Sequence, residues 1–159
     1  MKLRFGPGEE EGFVKLHSLH DFAEHADGSI EHIFCPFQFQ RLTQTERFTF
    51  MNEAHRVLIA TKQLQIIVPY WTSARSVSDP LAQWPTLTEA SFIWYSRAWR
   101  EAEQMTDLPL TCNFGSNPVC GHVNDPDVAV RNDDYRQYAS KHLLNAVHDL
   151  HVTLTKLTD

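Results

Sequence analysis

Residues 63–71, QLQIIVPYW, limit the folds open to this chain more than any other stretch. Three β-branched residues in a row, closed by a proline, are too short and too β-branched for a helix and read as a buried strand. Just upstream, Thr43 with Glu46 three residues on is a capping box. Phe50, Met51, Ala54, Val57 and Leu58 then recur at helical spacing, which predicts a helix over 44–59 with one buried stripe. A helix feeding a buried strand implies an α/β sheet with layers on its faces.

The remaining elements extend that pattern. Residues 2–5 and 12–19 read as short strands around the turn Gly6-Pro7-Gly8, and SIEHIFC (29–35) as a third strand after the Asp27-Gly28 turn signal. Thr86 and Glu89 form a second capping box before an expected aromatic helix over 87–103, with Phe92, Tyr95 and Trp99 on one face. LPLTCNF (108–114) reads as a strand and the stretch after it as irregular. A helix capped near Asn132 is expected over about 133–147, and DLHVTLTK (149–156) as a closing strand.

At 159 residues the chain fits one domain, and 42% apolar with 21% charged residues is the composition of an ordinary folded globule. No apolar run is long enough to span a bilayer, and no signal-peptide pattern opens the chain. The net charge is −6 with scattered basic residues, which disfavours a nucleic-acid partner. Three cysteines, Cys35, Cys112 and Cys120, are too few for a disulfide framework, so a cytoplasmic setting is expected. Cys112, Cys120 and His122 match no common zinc spacing, and no metal site is expected.

The order of the blocks ADGSIEHIFC, RFTFMNEAHRVL, QIIVPYW, SDPLAQWPTLTEASFIWYSRAWRE and DPDVAVRNDDYRQYASKHLLNAVHDLHVTLTK resembles that of the small bacterial and phage class I S-adenosylmethionine-dependent methyltransferases. The resemblance covers nearly the whole chain. It implies an α/β, three-layer Rossmann-like methyltransferase fold: a mostly parallel sheet with the last strand antiparallel and a shortened N-terminal part. Strand 149–156 is then expected between the QIIVPYW and LPLTCNF strands. S-adenosylmethionine is the implied cofactor. By the same resemblance, Gly6 and Gly8 map onto its turn, Asp21 onto an acid near the adenine, and Pro36 and Phe37 onto the pocket wall.

The departures fall on ligand-facing positions. The carboxylate that grips the cofactor ribose maps onto His17 or a gap, and Phe39-Gln40-Arg41 replaces a Leu-Glu-His element. A charged hydrogen bond of that kind is worth roughly 1.5–3 kcal/mol, so its loss weakens binding about tenfold to a hundredfold. The expectation is cofactor affinity that is weak or lost. Each site residue has a structural alternative: a tight turn for Gly6 and Gly8, a loop cap for Asp21, apolar packing for Phe37. Tyr70 and Asp79 flank the loop after the central strand, where substrates bind in open α/β sheets. They are the candidates for catalysis, with Asp79 a base or merely Asp-Pro turn chemistry.

Two functions follow from this reading. One is methyl transfer to an unknown small molecule or macromolecule. The other is a non-catalytic module of the same fold, serving binding or assembly. S-adenosylmethionine cleavage has no supporting motif. For partners, Ile93 and Trp94 lie off the expected core face, so they either join a homo-oligomer or larger assembly surface or lie beneath the loop of Leu81 and Trp84.

Overall fold

The computed structural model describes residues 1–158. Six strands form one sheet in the order β2-β1-β3-β4-β6-β5. They are β1 (Lys2–Phe5), β2 (Val14–Leu16), β3 (Ile30–Pro36), β4 (Leu58–Pro69), β5 (Val119–Asn124) and β6 (Val147–Thr155). β1 to β4 are mutually parallel, while β6 runs antiparallel between β4 and β5.

Helix α1 (Gln44–Val57) starts at the expected capping box. Glu46 N–H donates to Thr43 Oγ1 at 3.3 Å, and Thr43 N–H to Glu46 Oε2 at 2.8 Å. Its stripe of Phe50, Met51, Ala54 and Val57 is fully buried against the sheet face that carries Leu3, Ile33, Leu64, Ile66 and Val152. A continuous aromatic array, Phe22–Phe50–Phe39–Phe92, links α1 to the segments on either side of it.

The opposite face is lightly covered. Register places Arg4, Phe34, Gln65 and Thr153 there, all half-buried. Only residues 6–13 join the parallel strands β1 and β2, short of the dozen or more that a helical crossover takes. That connection lays Phe13 against His32 and Phe34, with ring centroids 5.7 and 6.3 Å apart. Over β1 and β3 this loop takes the place of a helical layer.

Three expected elements are corrected. Residues 108–114 are not a strand. Pro109 has no N–H, and side chains take up the neighbouring groups: Thr111 N–H donates to Asn52 Oδ1, and Arg100 donates to the carbonyls of Leu110 and Cys112. Phe114 alone bridges to Lys156, and the neighbour of β6 is β5, in the stretch expected to be irregular.

The aromatic helix is broken. A 3-10 segment (Glu89–Tyr95) and α3 (Arg97–Ala102) meet at Ser96, which is extended at φ −87° and ψ 125°. The Tyr95 carbonyl accepts from Phe114 N–H at 2.9 Å, while Trp99 N–H turns to Ser96 Oγ. The box at this start is Thr88 with Ser91, not Thr86 with Glu89.

Asn132 caps α5 (Asp133–His142) as expected, but the helix ends at His142 and leaves 143–146 as a link to β6. Two short helices, α2 (Ala74–Ser78) and α4 (Pro126–Ala129), complete the chain. No helix among the described residues is long and apolar enough to cross a membrane.

Candidate functional site

The carboxyl ends of β1, β3, β4 and β5 share one edge of the sheet, and the expected site residues lie along it. Gly6 has φ +149° and Gly8 φ +81°, conformations open to glycine and strained for other residues. A Cβ on Gly6 would lie 2.3 Å from the Pro36 carbonyl oxygen, so this glycine lets the ends of β1 and β3 touch. Arg4 folds over the turn, donating to the Pro7 carbonyl at 2.6 Å and pairing with Glu10 at 2.7 Å.

Asp21 turns inward on its own loop. It accepts from the backbone N–H groups of His17 and Ser18 and from Ser18 Oγ, at 2.6 to 3.1 Å. These bonds, the Ser18 hydroxyl foremost, hold its carboxyl below the usual carboxylate range. His17 is exposed.

Phe37 is the unusual residue of the edge. Its φ of 52° is left-handed, rare for a bulky side chain and most often found where function or packing enforces it. Its N–H is bound to the Ile67 carbonyl at 2.8 Å, and the Arg75 guanidinium sits 5.1 Å from its ring centre. Phe37, Gln40, Arg41, Arg75 and Asp79 line a depression of about 340 Å³. Gln40 is buried beneath it, and its Oε1, closed off from solvent, has no hydrogen-bond partner among the described residues. Such an orphan acceptor is costly. With a shift of the Gln40 side chain toward the depression it would suit an exocyclic amine of the kind an adenine carries.

Asp79 pairs with Arg41 at 2.8 Å and accepts from Leu81 N–H at 3.0 Å. The Arg41 contact pulls its carboxyl below the usual range, which suits a fixed anion and a turn cap better than a base. Tyr70 is buried and donates its hydroxyl to Glu89 Oε2 at 3.3 Å. Burial raises its phenol above the ordinary value.

The other oxygen of Glu89 meets His122 Nε2, and the His122 ring lies 5.2 Å from that of Tyr70. Sequence reasoning missed this group. Glu89 read as a capping residue, and His122 sits in a stretch without strand signals. Of the residues expected off the core face, Trp94 packs edge-on to Trp99 at 4.7 Å, while Trp84, expected as cover for it, is 82% exposed.

The edge thus has two halves. At β1 and β3 the glycine turn is occupied by packing, and the Phe37 depression lies beside it over the buried Gln40. At β4 and β5 stands a hydrogen-bonded Tyr–Glu–His set.

No protein-family model and no curated protein matches the sequence. Solved structures do. A S-adenosylmethionine-dependent methyltransferase from Archaeoglobus fulgidus superposes with a TM-score of 0.58 over 91% of this chain and 67% of that one, at 12% identity. The 1,6-didemethyltoxoflavin-N1-methyltransferase of Burkholderia thailandensis, with 1,6-didemethyltoxoflavin and S-adenosylhomocysteine bound, gives 0.51 over 92% and 52%, also at 12% identity. The chain therefore spans about two thirds of the first enzyme and half of the second. With β6 antiparallel between β4 and β5 in an otherwise parallel sheet bearing α1, the chain has the Rossmann-like fold of the class I S-adenosylmethionine-dependent methyltransferases.

Proposed function

We propose that this chain is a methyltransferase-like protein that binds S-adenosylmethionine weakly at the carboxyl ends of β1 and β3 and acts on a small-molecule or protein acceptor. The observation that carries the reading is the sheet with its inserted antiparallel strand, in a fold that superposes on a solved S-adenosylmethionine-dependent methyltransferase over 91% of this chain. Phe37, Arg75 and Gln40, which line the depression at that edge, are the residues proposed to hold the adenosyl part. When bound, the sulfonium supplies an activated methyl group, so the protein has mainly to position the acceptor. The three free thiols suit a cytoplasmic setting.

No carboxylate stands at His17 to take the ribose, and Gly6 is filled by the Pro36 backbone. With the roughly tenfold to hundredfold loss that follows from one missing charged hydrogen bond, the dissociation constant for S-adenosylmethionine is expected in the high-micromolar range. Calorimetric titration with S-adenosylmethionine and S-adenosylhomocysteine tests this. Sub-micromolar binding refutes the weakened site. No binding refutes the enzyme and leaves the second reading, a non-catalytic binding or assembly module, which the filled glycine turn favours.

A further inference from the structure

The cavity between the ends of β4 and β5 and helix α5 holds acid–base chemistry that the cofactor half does not use. It measures about 490 Å³, and its walls include Tyr70, Glu89, His122, Asn124, Ser140 and Lys141. His122 pairs with Leu150 in register, which turns its ring toward the helical face, where Glu89 opens the 3-10 segment. Both Glu89 oxygens are engaged, Oε1 by His122 Nε2 and Oε2 by the Tyr70 hydroxyl. A carboxylate on Nε2 fixes the neutral imidazole as its Nε2–H tautomer and leaves Nδ1 as an unprotonated base. Among the described residues Nδ1 has no hydrogen-bond partner.

Lys141 stands exposed on the wall formed by α5, without an ion-pair partner among the described residues. The other cation there, Arg136, is already tied to Asp133 and to the Ala129 carbonyl. The cavity therefore presents one oriented base and one available positive charge.

We propose that this cavity is a substrate site for a small molecule carrying a phosphate or carboxylate, with His122 Nδ1 as general base. Lys141 holds the anionic group. The hydroxyl or amine of the ligand gives its proton to Nδ1: the X–H bond breaks, the N–H bond forms, and the electron pair stays on X as the nucleophile. Glu89 and Tyr70 are positioning residues that hold the ring and its tautomer. Only the identity of what the nucleophile attacks rests on the methyltransferase reading; binding and proton transfer do not.

The test is nuclear magnetic resonance of the full chain labelled with nitrogen-15 at histidine. His122 is assigned by its loss in His122→Gln, a substitution at an exposed strand residue that is expected to leave circular dichroism unchanged. In the wild type the neutral ring is expected as the Nε2–H tautomer, and in Glu89→Gln as a mixture. Inorganic phosphate and acetate, added separately at millimolar concentration, distinguish the two anion classes. At least one should shift the His122 signals saturably, with several-fold weaker affinity in Lys141→Met.

An Nδ1–H tautomer, no response to either anion, or equal affinity in Lys141→Met overturns the proposal. If these results hold while S-adenosylmethionine fails to bind by calorimetry, the function proposed above falls and this site stands. If the cofactor binds and they fail, this proposal falls alone.

Discussion

Replacing Gly6 with alanine tests whether the opening turn is a ligand cradle or a packing device. The added Cβ would sit 2.3 Å from the Pro36 carbonyl oxygen, against a practical minimum of 3.0 Å, so the strand ends must part by about 0.7 Å. Pro36 is poorly placed to retreat, because the next residue, Phe37, is pinned through its N–H to the Ile67 carbonyl at 2.8 Å. A φ of +149° adds backbone strain. Strain of this kind costs about 1–3 kcal/mol, and overpacking a further 1–3 kcal/mol. The expected loss is about 2–6 kcal/mol, a large share of the 5–15 kcal/mol that holds a typical domain together.

Gly12 is the control. It has φ +81° but open space around its missing Cβ, so Gly12→Ala should cost only the backbone term, about 1–2 kcal/mol. Urea and thermal unfolding followed by circular dichroism measure both variants. Each kcal/mol is worth about 2–4 °C of Tm in a chain of this size. Equal losses in the two variants would refute the close approach of β1 and β3, and with it the argument that packing fills this half of the cofactor turn.

Three further outcomes are expected. The carboxyls of Asp21, Glu46 and Asp79 are held low, chiefly by Ser18, Thr43 and Arg41 respectively. Their folded-state values lie below the unfolded ones, so their contribution is present above about pH 4 and is lost as the pH falls through the folded values. The urea midpoint should drop on acidification, less steeply in Asp21→Asn, and a flat midpoint from pH 5 to about 2.5 would contradict this. Arg47 is buried and donates to the carbonyls of Phe39, Gln40, Gln83 and Pro85. Arg47→Met should destabilise by about 1–3 kcal/mol for each acceptor left dry. Arg47→Lys should not rescue it, because an ammonium lacks the planar fork; rescue in chemical denaturation would refute that role. Burial pushes the Cys112 thiol up to about 11 and the Cys35 thiol higher still, while Cys120 is only half-buried. Ellman's reagent should therefore find one slow thiol in the native protein and three after denaturation.

The well-read parts of this chain are those whose backbone satisfies itself locally. Helix α1 was legible because its cap and its buried stripe both lie within fourteen residues. β4 was legible because Ile66, Ile67 and Val68 have no other economical use. Residues 108–114 misled because their apolar pattern is real: Leu110, Cys112 and Phe114 are buried. What they lack is a ladder. Asn52, more than fifty residues away, and Arg100 supply the hydrogen bonds instead, and no periodicity encodes a side chain that stands in for a strand.

β5 was missed for the converse reason. It pairs with β6 along its whole length, with one shift of register between Val123 and Asn124, but Val119, Gly121 and His122 are exposed, so its strand character comes from backbone pairing and leaves little apolar alternation. The site follows the same logic. Gly6 and Phe37 could be placed at the sheet edge because they follow strands directly. The Glu89–His122 contact joins residues separated by 33 positions, one in a 3-10 segment and one in that missed edge strand. A sheet edge lets such a group assemble where loops and a late strand converge, and it becomes visible only once the order of the strands is known.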